Sequence, residues 1–553
     1  KNLTCAVLAG LAGVAGLAGT AQAVNLNPDG MGQVLVYPYY TANDGNQTLI
    51  SVVNTTDHAK AVKVRFLEGF NSREVLDFNL YMSHHDVWVA SIADNGGTPT
   101  LYINDTSCTV PYFWGNKADS DEFASQAFLP WAYTDNTDVG GLDLTDGGPT
   151  AMQRAAEGHF EMIEMGTLTG TTAADVTHGT DGEPLNCAKL SAMWTEVIGE
   201  AASGVWWEEA NAATSCVEGD TDNEEVGQAC TDMARASGGM FGGAAVINAN
   251  NGTMYSYDAK AIQGFDKSVN GLHFEPGSIL PSLASGSETD AWVFFGVPQN
   301  TAVNLDYSNS VDAVSSVFMH EHLMNGYNSE VAADASTEWV ITFPTKAFYA
   351  DAFTMEYMGI EDTIEVCTGV GEDEECVDVT VARDPFTHLF GAEDKDGDRL
   401  CEVVSLRTWD REEQTFTPTG PGDVIRPPTV SPAPPDQCIP GFEEDCTSET
   451  VFQLCNEVNV LRFGEGVVFG TPDFGADGSL LLSVEDEFEN GWGRINLAAH
   501  PDGMRTDDEG LVGLPATGFQ AVEFENNFAE GGSVKAFYGG LYGHKGNVRR
   551  VND

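Results

Sequence analysis

Basic residues are scarce in this chain: 25 lysines and arginines stand against 84 aspartates and glutamates, a formal charge of −59. That balance disfavours nucleic acid, anionic lipid and lipopolysaccharide phosphate as partners unless cations bridge the contact. Long apolar runs are also missing after the N-terminus, so the mature chain is expected to have no membrane span. There is no Cys-x-x-Cys or Cys/His zinc spacing, no His-Glu-x-x-His, no Gly-x-Ser-x-Gly elbow and no Ser-x-x-Lys. The usual metallohydrolase and activated-nucleophile signatures are therefore absent. Hydrophobic residues still make up 42% of the chain, enough for packed cores rather than disorder. An acidic surface of this kind suits solubility in salty water, where screening confines repulsion to a few ångströms.

What is present begins with KNLTCAVLAGLAGVAGLAGTAQA, a short cationic start, an apolar run and Ala-Gln-Ala. Residues 1–23 are expected to be an export signal cleaved after Ala23, too short and small-sided for an anchor. Cys5 has no lipobox before it. The 11 cysteines less Cys5 leave 10, an even number that suits disulfides outside the cell. Cys367 and Cys376, Cys438 and Cys446, and Cys216 and Cys230 each bracket a short acidic loop. Elimination then joins Cys108 to Cys187 and Cys401 to Cys455, although spacing alone leaves the connectivity open.

Five β-rich runs between Gln33 and Ile92 set the fold class. Val62, Val64 and Phe66 alternate with Lys63 and Arg65, and Leu76, Phe78 and Leu80 with Asp77 and Asn79, the period of strands with one wet face. The expected fold is all-β: two immunoglobulin-like antiparallel β-sandwich domains with long acidic loop insertions and one or two short helices. The first domain spans 24–265, a Gly-, Pro- and Ser-rich linker 266–290, and the second domain 291–553, with a proline-rich loop at 419–437. GHFEMIEMGTL, AVSSVFM and TEWVITFPTKAFYAD read as strands, and Asn250–Gly252 as a hairpin turn. A helix is predicted over Cys187–Ile198, capped by Asn186 and ended by Gly199. Residues 115–148 and 200–239 read as surface loops.

Candidate sites are few. In EDKDGDRLCE, Asp394, Asp396 and Asp398 alternate around Gly397, so a tight loop can aim three carboxylates at one hard cation, with Glu402 completing the shell. The run resembles the calcium loops of the excalibur and thrombospondin type-3 families, with Arg399 in place of a glycine; the resemblance implies structural calcium. Asp138, Asp143 and Asp146 form a poorer acidic loop. His320 and His322, two apart, and the pair His84 and His85 are weaker metal candidates that lack a third ligand. Trp206 and Trp207 beside Glu208 are candidates for stacking on a sugar. LPATG at 514–518 has no apolar span or basic tail after it and reads as a turn entering a strand.

The opening VLVYPYYT, GHFEMIEMG, TEWVITFPTKAFY and GLPATGF are similar to segments of a group of uncharacterised exported, acidic, β-rich proteins of proteobacteria. That resemblance implies a Gram-negative setting and no particular activity. The expected role is a secreted or cell-surface structural or adhesive protein, self-assembling, whose partners are other surface proteins, itself or glycans. A secreted carbohydrate-active or metal-dependent hydrolase is the alternative.

Overall fold

The run EGHFEMIEMGTL, Glu157–Leu168, is a twelve-residue strand with every side chain buried. It sits between Val34–Thr41 and Lys60–Glu68, antiparallel to both. A computed structural model describes residues 23–118, 122–134, 146–196, 203–210, 232–296, 299–330, 333–368, 375–393, 399–411, 424–425, 450–464, 466–470, 479–482, 489–500, 503–529 and 534–551. In it the chain is mostly β, built from antiparallel sheets; among the described strands Val458–Phe463 and Ser479–Leu482 run parallel.

The first sheet has eight strands, in the order Asn25–Leu26, Lys260–Gln263, Val34–Thr41, Glu157–Leu168, Lys60–Glu68, Glu74–Met82, Cys108–Val110, with Met233–Ala234 beside Glu157–Leu168. The second has six: Thr253–Asp258, Met240–Asn248, Asn46–Asn54, Val87–Asp94, Pro99–Ile103, Ala124–Ala127. Phe66, Phe78, Phe160 and Met162 of the first pack on Val52, Trp88, Ile92 and Val246 of the second, giving one sandwich core. Past residue 290 come a five-stranded sheet (Thr450–Leu454, Glu402–Asp410, Asn490–Asn496, His322–Asn328, Lys545–Asn547) and a six-stranded one. The latter runs Val424–Ile425, Ser479–Leu482, Val458–Phe463, Ala335–Thr342, Thr517–Ala529, Val534–Gly543.

This last sheet is covered on both faces. Trp339, Ile341 and Leu461 pack toward the five-stranded sheet, whereas Val340, Val460 and Phe519 join the N-terminal core. Double coverage explains why TEWVIT reads as an apolar run rather than an alternation. The two halves meet directly: Thr342 Oγ1 donates to Pro38 O at 2.6 Å, Asn46 Nδ2 to Phe469 O at 2.8 Å, and Val458 N to Gly69 O at 2.8 Å.

Several expectations need correction. Lys63, Arg65, Asp77 and Asn79 do not face water. Lys63 pairs with Asp77, and Arg65 with Glu161 and with Glu74, the last at 2.7 Å. The segment after Gly264 lies over this ladder: Lys63 Nζ and Asn79 Nδ2 donate to Glu275 O and Phe274 O, and Gly277 N donates to Asp77 Oδ2. Alternating polarity marks two different surroundings, not necessarily solvent on one side. Among the described residues there are eight α-helices rather than one or two, all short, and two 3-10 turns besides. AVSSVFM is not a strand: Ser310–Ser316 is helical because Asn309 caps it, accepting from Asp312 N. KAFYAD likewise turns helical at Ala347–Ala350 and Ala352–Met358, the latter capped by Asp351. The helix expected to reach Ile198 ends at Met193, although Asn186 does cap it.

Disulfides join Cys108 to Cys187, Cys367 to Cys376 and Cys401 to Cys455. Cys216, Cys230, Cys438 and Cys446 lie outside the described residues. Among the described residues no helix is long and apolar enough to cross a membrane.

Candidate functional site

Among the described residues, those singled out by sequence do not converge. Asp394, Asp396 and Asp398 lie outside the described residues. Glu402 points inward rather than to a loop cation. It is fully buried, accepts from Thr387 N at 3.0 Å and Thr387 Oγ1 at 2.9 Å, and pairs with Arg505 at 2.9 Å. Burial alone would raise its pKa, but Arg505 and Lys346 outweigh burial and hold the carboxyl below its ordinary value. Glu402→Gln should therefore cost about 3 kcal/mol or more, because it strands a buried guanidinium. Thermal melts should show the same loss with calcium or with chelator; a loss confined to the calcium-loaded protein would restore Glu402 as a ligand.

The histidines engage separate neighbours. His85, at φ 56, places Nε2 2.8 Å from Asp57 Oδ1 at the surface, and its ring lies 5.8 Å from that of His84. His320 Nδ1 is 2.7 Å from Phe318 O, while His322 Nδ1 is 3.2 Å from Asn547 Oδ1. Burial keeps His320 below its ordinary pKa, and nearby Lys260 adds to this. Among the described residues, the group of three able to meet at a metal is Glu365, Cys367 and Cys376, whose sulfurs are joined in a disulfide.

Trp206 is core, not a sugar platform. It is fully buried against His273, Tyr81 and Trp194, with ring centroids 4.6, 5.6 and 5.6 Å away. Trp207 is half-buried on the same helix, Val205–Ala210. Asp146 is no solvated loop acid either: it is buried and hydrogen-bonded to Arg154.

Two surfaces that sequence reasoning missed stand out instead. The six-stranded sheet of the N-terminal half turns Ile50, Val52, Trp88 and Val246 inward. Its outward positions on the central strands are Gln47, Leu49, Ser51 and Val53, then Val87, Val89, Ser91 and Ala93, then Phe241, Gly243, Ala245 and Ile247. None is charged. On the next strand Met254 and Ser256 continue this face, and Asp258 ends it. Leu49, Val89 and Phe241 are each 40% exposed or more, beside a shallow trough of about 550 Å³. On these central strands the sheet presents an uncharged, partly apolar face, in a chain with 84 acidic residues.

The other surface is a hairpin. Among the described residues Asp362–Thr368 pairs with Glu375–Val381 and with no other strand, and the disulfide Cys367–Cys376 closes the hairpin across a directly opposed pair. One face carries Ile364 against Val379 and Val366 against Val377; the other carries Glu365 against Asp378. All four aliphatic side chains are exposed, between 38% and 53%. A two-stranded ribbon has too little core to be stable alone, so the disulfide bears much of that task. The alternation was visible in DTIEVCT and ECVDVTV, but nothing in it told that both faces would be wet.

No protein-family model, no curated protein and no solved structure matches this chain.

Proposed function

We propose that this chain is an exported structural protein that self-associates, the ribbon of one copy packing on the outer face of the six-stranded sheet of the next. The observation that carries the reading is the uncharged face of the central strands, where a second copy can pack without bringing carboxylates together. A ribbon on one half and a receiving face on the other make a head-to-tail contact, which builds a ring or an open filament rather than a two-fold dimer.

Magnitudes make each contact weak. Fully burying one valine or isoleucine contributes roughly 1.5 to 3 kcal/mol, and four of them meet an association cost of about 4 to 15 kcal/mol. Assembly should be reversible and should grow with salt, which screens the repulsion of two chains each carrying a formal charge of −59. Sedimentation velocity tests this: larger species are expected at high salt and monomer at low salt. Val89→Glu on the face and Val377→Glu on the ribbon should each give monomers, whereas a mixture of the two should give dimers and stop there. A chain that stays monomeric at every salt concentration, or a Val377→Glu variant that still assembles, would sink the proposal.

A further inference from the structure

The outer face of the five-stranded sheet gathers side chains of which this chain has few. Arg407 and Arg494 are direct cross-strand partners, and the adjacent row holds Trp409 opposite Trp492. The two indoles stack with centroids 4.1 Å apart and planes 10° from parallel. Both guanidiniums flank the Trp409 ring, at 5.7 and 5.5 Å. Like charges directly opposed on neighbouring strands are unfavourable on their own, and the electron-rich indole offsets part of that.

Trp492 is 41% exposed. Its partner on the far side is Gly326, so no side chain rises beside the ring there. An open pocket of about 460 Å³ lies at this place, lined by Trp492, Asn328, Asn490, Asp410, Arg411 and Tyr327. Asp410 and Tyr327 are buried in its wall. Burial, reinforced by the Asp410 carboxylate, pushes the Tyr327 hydroxyl up to about 12, so it stays protonated.

We infer that this pocket binds a glycan, a pyranose polymer that carries carboxylate groups. The apolar face of one sugar ring stacks on Trp492 above Gly326. Asn328, Asn490 and Asp410 supply amide and carboxylate groups for its hydroxyls. The rows of a strand face are about 7 Å apart, which sets Arg494 within one ring of the indole, and Arg411 lines the pocket itself. A guanidinium recognises a carboxylate through paired hydrogen bonds. The overall negative charge opposes a polyanion at long range, but at physiological salt that field decays within about 8 Å. At contact the local arginines decide. The inference does not depend on how copies of the chain associate.

Calorimetric titration of the full chain tests it, with oligogalacturonate as the probe and a neutral maltooligosaccharide of equal length as comparison. The uronate should bind more tightly, and its advantage should shrink as salt is raised. Trp492→Ala should weaken binding about tenfold. Gly326→Val should do the same without disturbing the fold, because a Cβ at Gly326 meets only Gly491 O, at 3.6 Å. Arg494→Gln should remove the preference for the uronate. Unchanged affinity in Gly326→Val, equal affinity for the two oligosaccharides, or no binding by the unaltered chain would each overturn the assignment.

Discussion

Arg154→Met is expected to destabilise the chain by about 3 to 5 kcal/mol, measured by urea unfolding at neutral pH. Arg154 is fully buried, with Nε and Nη2 on the two oxygens of Glu68 at 2.8 and 2.9 Å and Nη1 on Asp146 Oδ1 at 3.0 Å. Its guanidinium also lies between the rings of Phe70 and Tyr133, 4.6 and 4.5 Å from their centroids. Glu68 accepts in addition from the backbone N–H groups of Phe70, Asn71 and Arg73, so its carboxylate cannot turn away. From Asp146 the network continues through Asn71 to Asp351, which caps a helix of the C-terminal half. Methionine fills most of the arginine's volume but leaves buried Glu68 without its cation and Asp146 with Arg73 alone, 3.9 Å away. The sign with pH follows from Asp146. Burial would raise its pKa, but hydrogen bonding and charge from Arg154 prevail and hold it below its ordinary value. The stability it supplies is present above the ordinary carboxylate range and disappears as pH falls through the lowered pKa. Adding Glu68→Gln and Asp146→Asn to Arg154→Met should recover part of the loss. A cost below about 1 kcal/mol would mean that these carboxylates are solvated after all.

Many of the strands could be read from sequence because apolar and β-branched residues recur in short runs between turn residues, and the start of one helix because Asn186 sits where a backbone N–H needs an acceptor. Even the pairing of Cys108 with Cys187 and of Cys401 with Cys455 followed by elimination. What escaped was anything set by distant partners. Lys63 and Arg65 look solvated until Glu161, ninety-odd residues on, and the segment after Gly264 are laid against them. Trp409 and Trp492 become a shelf only through the register of two strands, whereas adjacent Trp206 and Trp207 drew the eye and turned out to anchor a core. The outer sheet face was hidden for another reason. Leu49, Val89 and Phe241 belong to separate runs, each unremarkable alone, and only their alignment shows that the central strands keep charge off their outward positions.

Raising the pH from about 6.5 to about 8.5, above the range where the buried histidines act in the opposite sense, should lower stability by about 3 kcal/mol through Glu157 and Glu338, with Glu74 and Glu457 adding in the same direction. Burial pushes the Glu157 carboxyl up from 4.5 to about 8, and neighbouring Glu338 adds to it even though Tyr39 donates a 2.7 Å hydrogen bond. Burial likewise raises Glu338 from 4.5 to about 7 against the hydrogen bond it accepts from Phe469 N. Glu157 belongs to the eight-stranded sheet and Glu338 to the C-terminal sheet packed on its core, so the two acids meet where the halves join. In the unfolded chain both ionise near pH 4.5. Over the interval up to about 8 the folded chain holds protons that the unfolded chain has released, so stability is complete below the unfolded pKa and is lost as pH rises through the folded one. Self-repulsion of the acidic surface has the same sign, yet the two causes separate. In molar salt, where charges are screened beyond about 3 Å, the surface share should vanish and the buried share remain. Glu157→Gln with Glu338→Gln keeps the acceptors for Tyr39 and Phe469 and should lessen the dependence that survives in salt. A pH dependence that molar salt abolishes in the unaltered chain would place its cause on the surface instead, and the junction between the halves would then hold these carboxylates ionised.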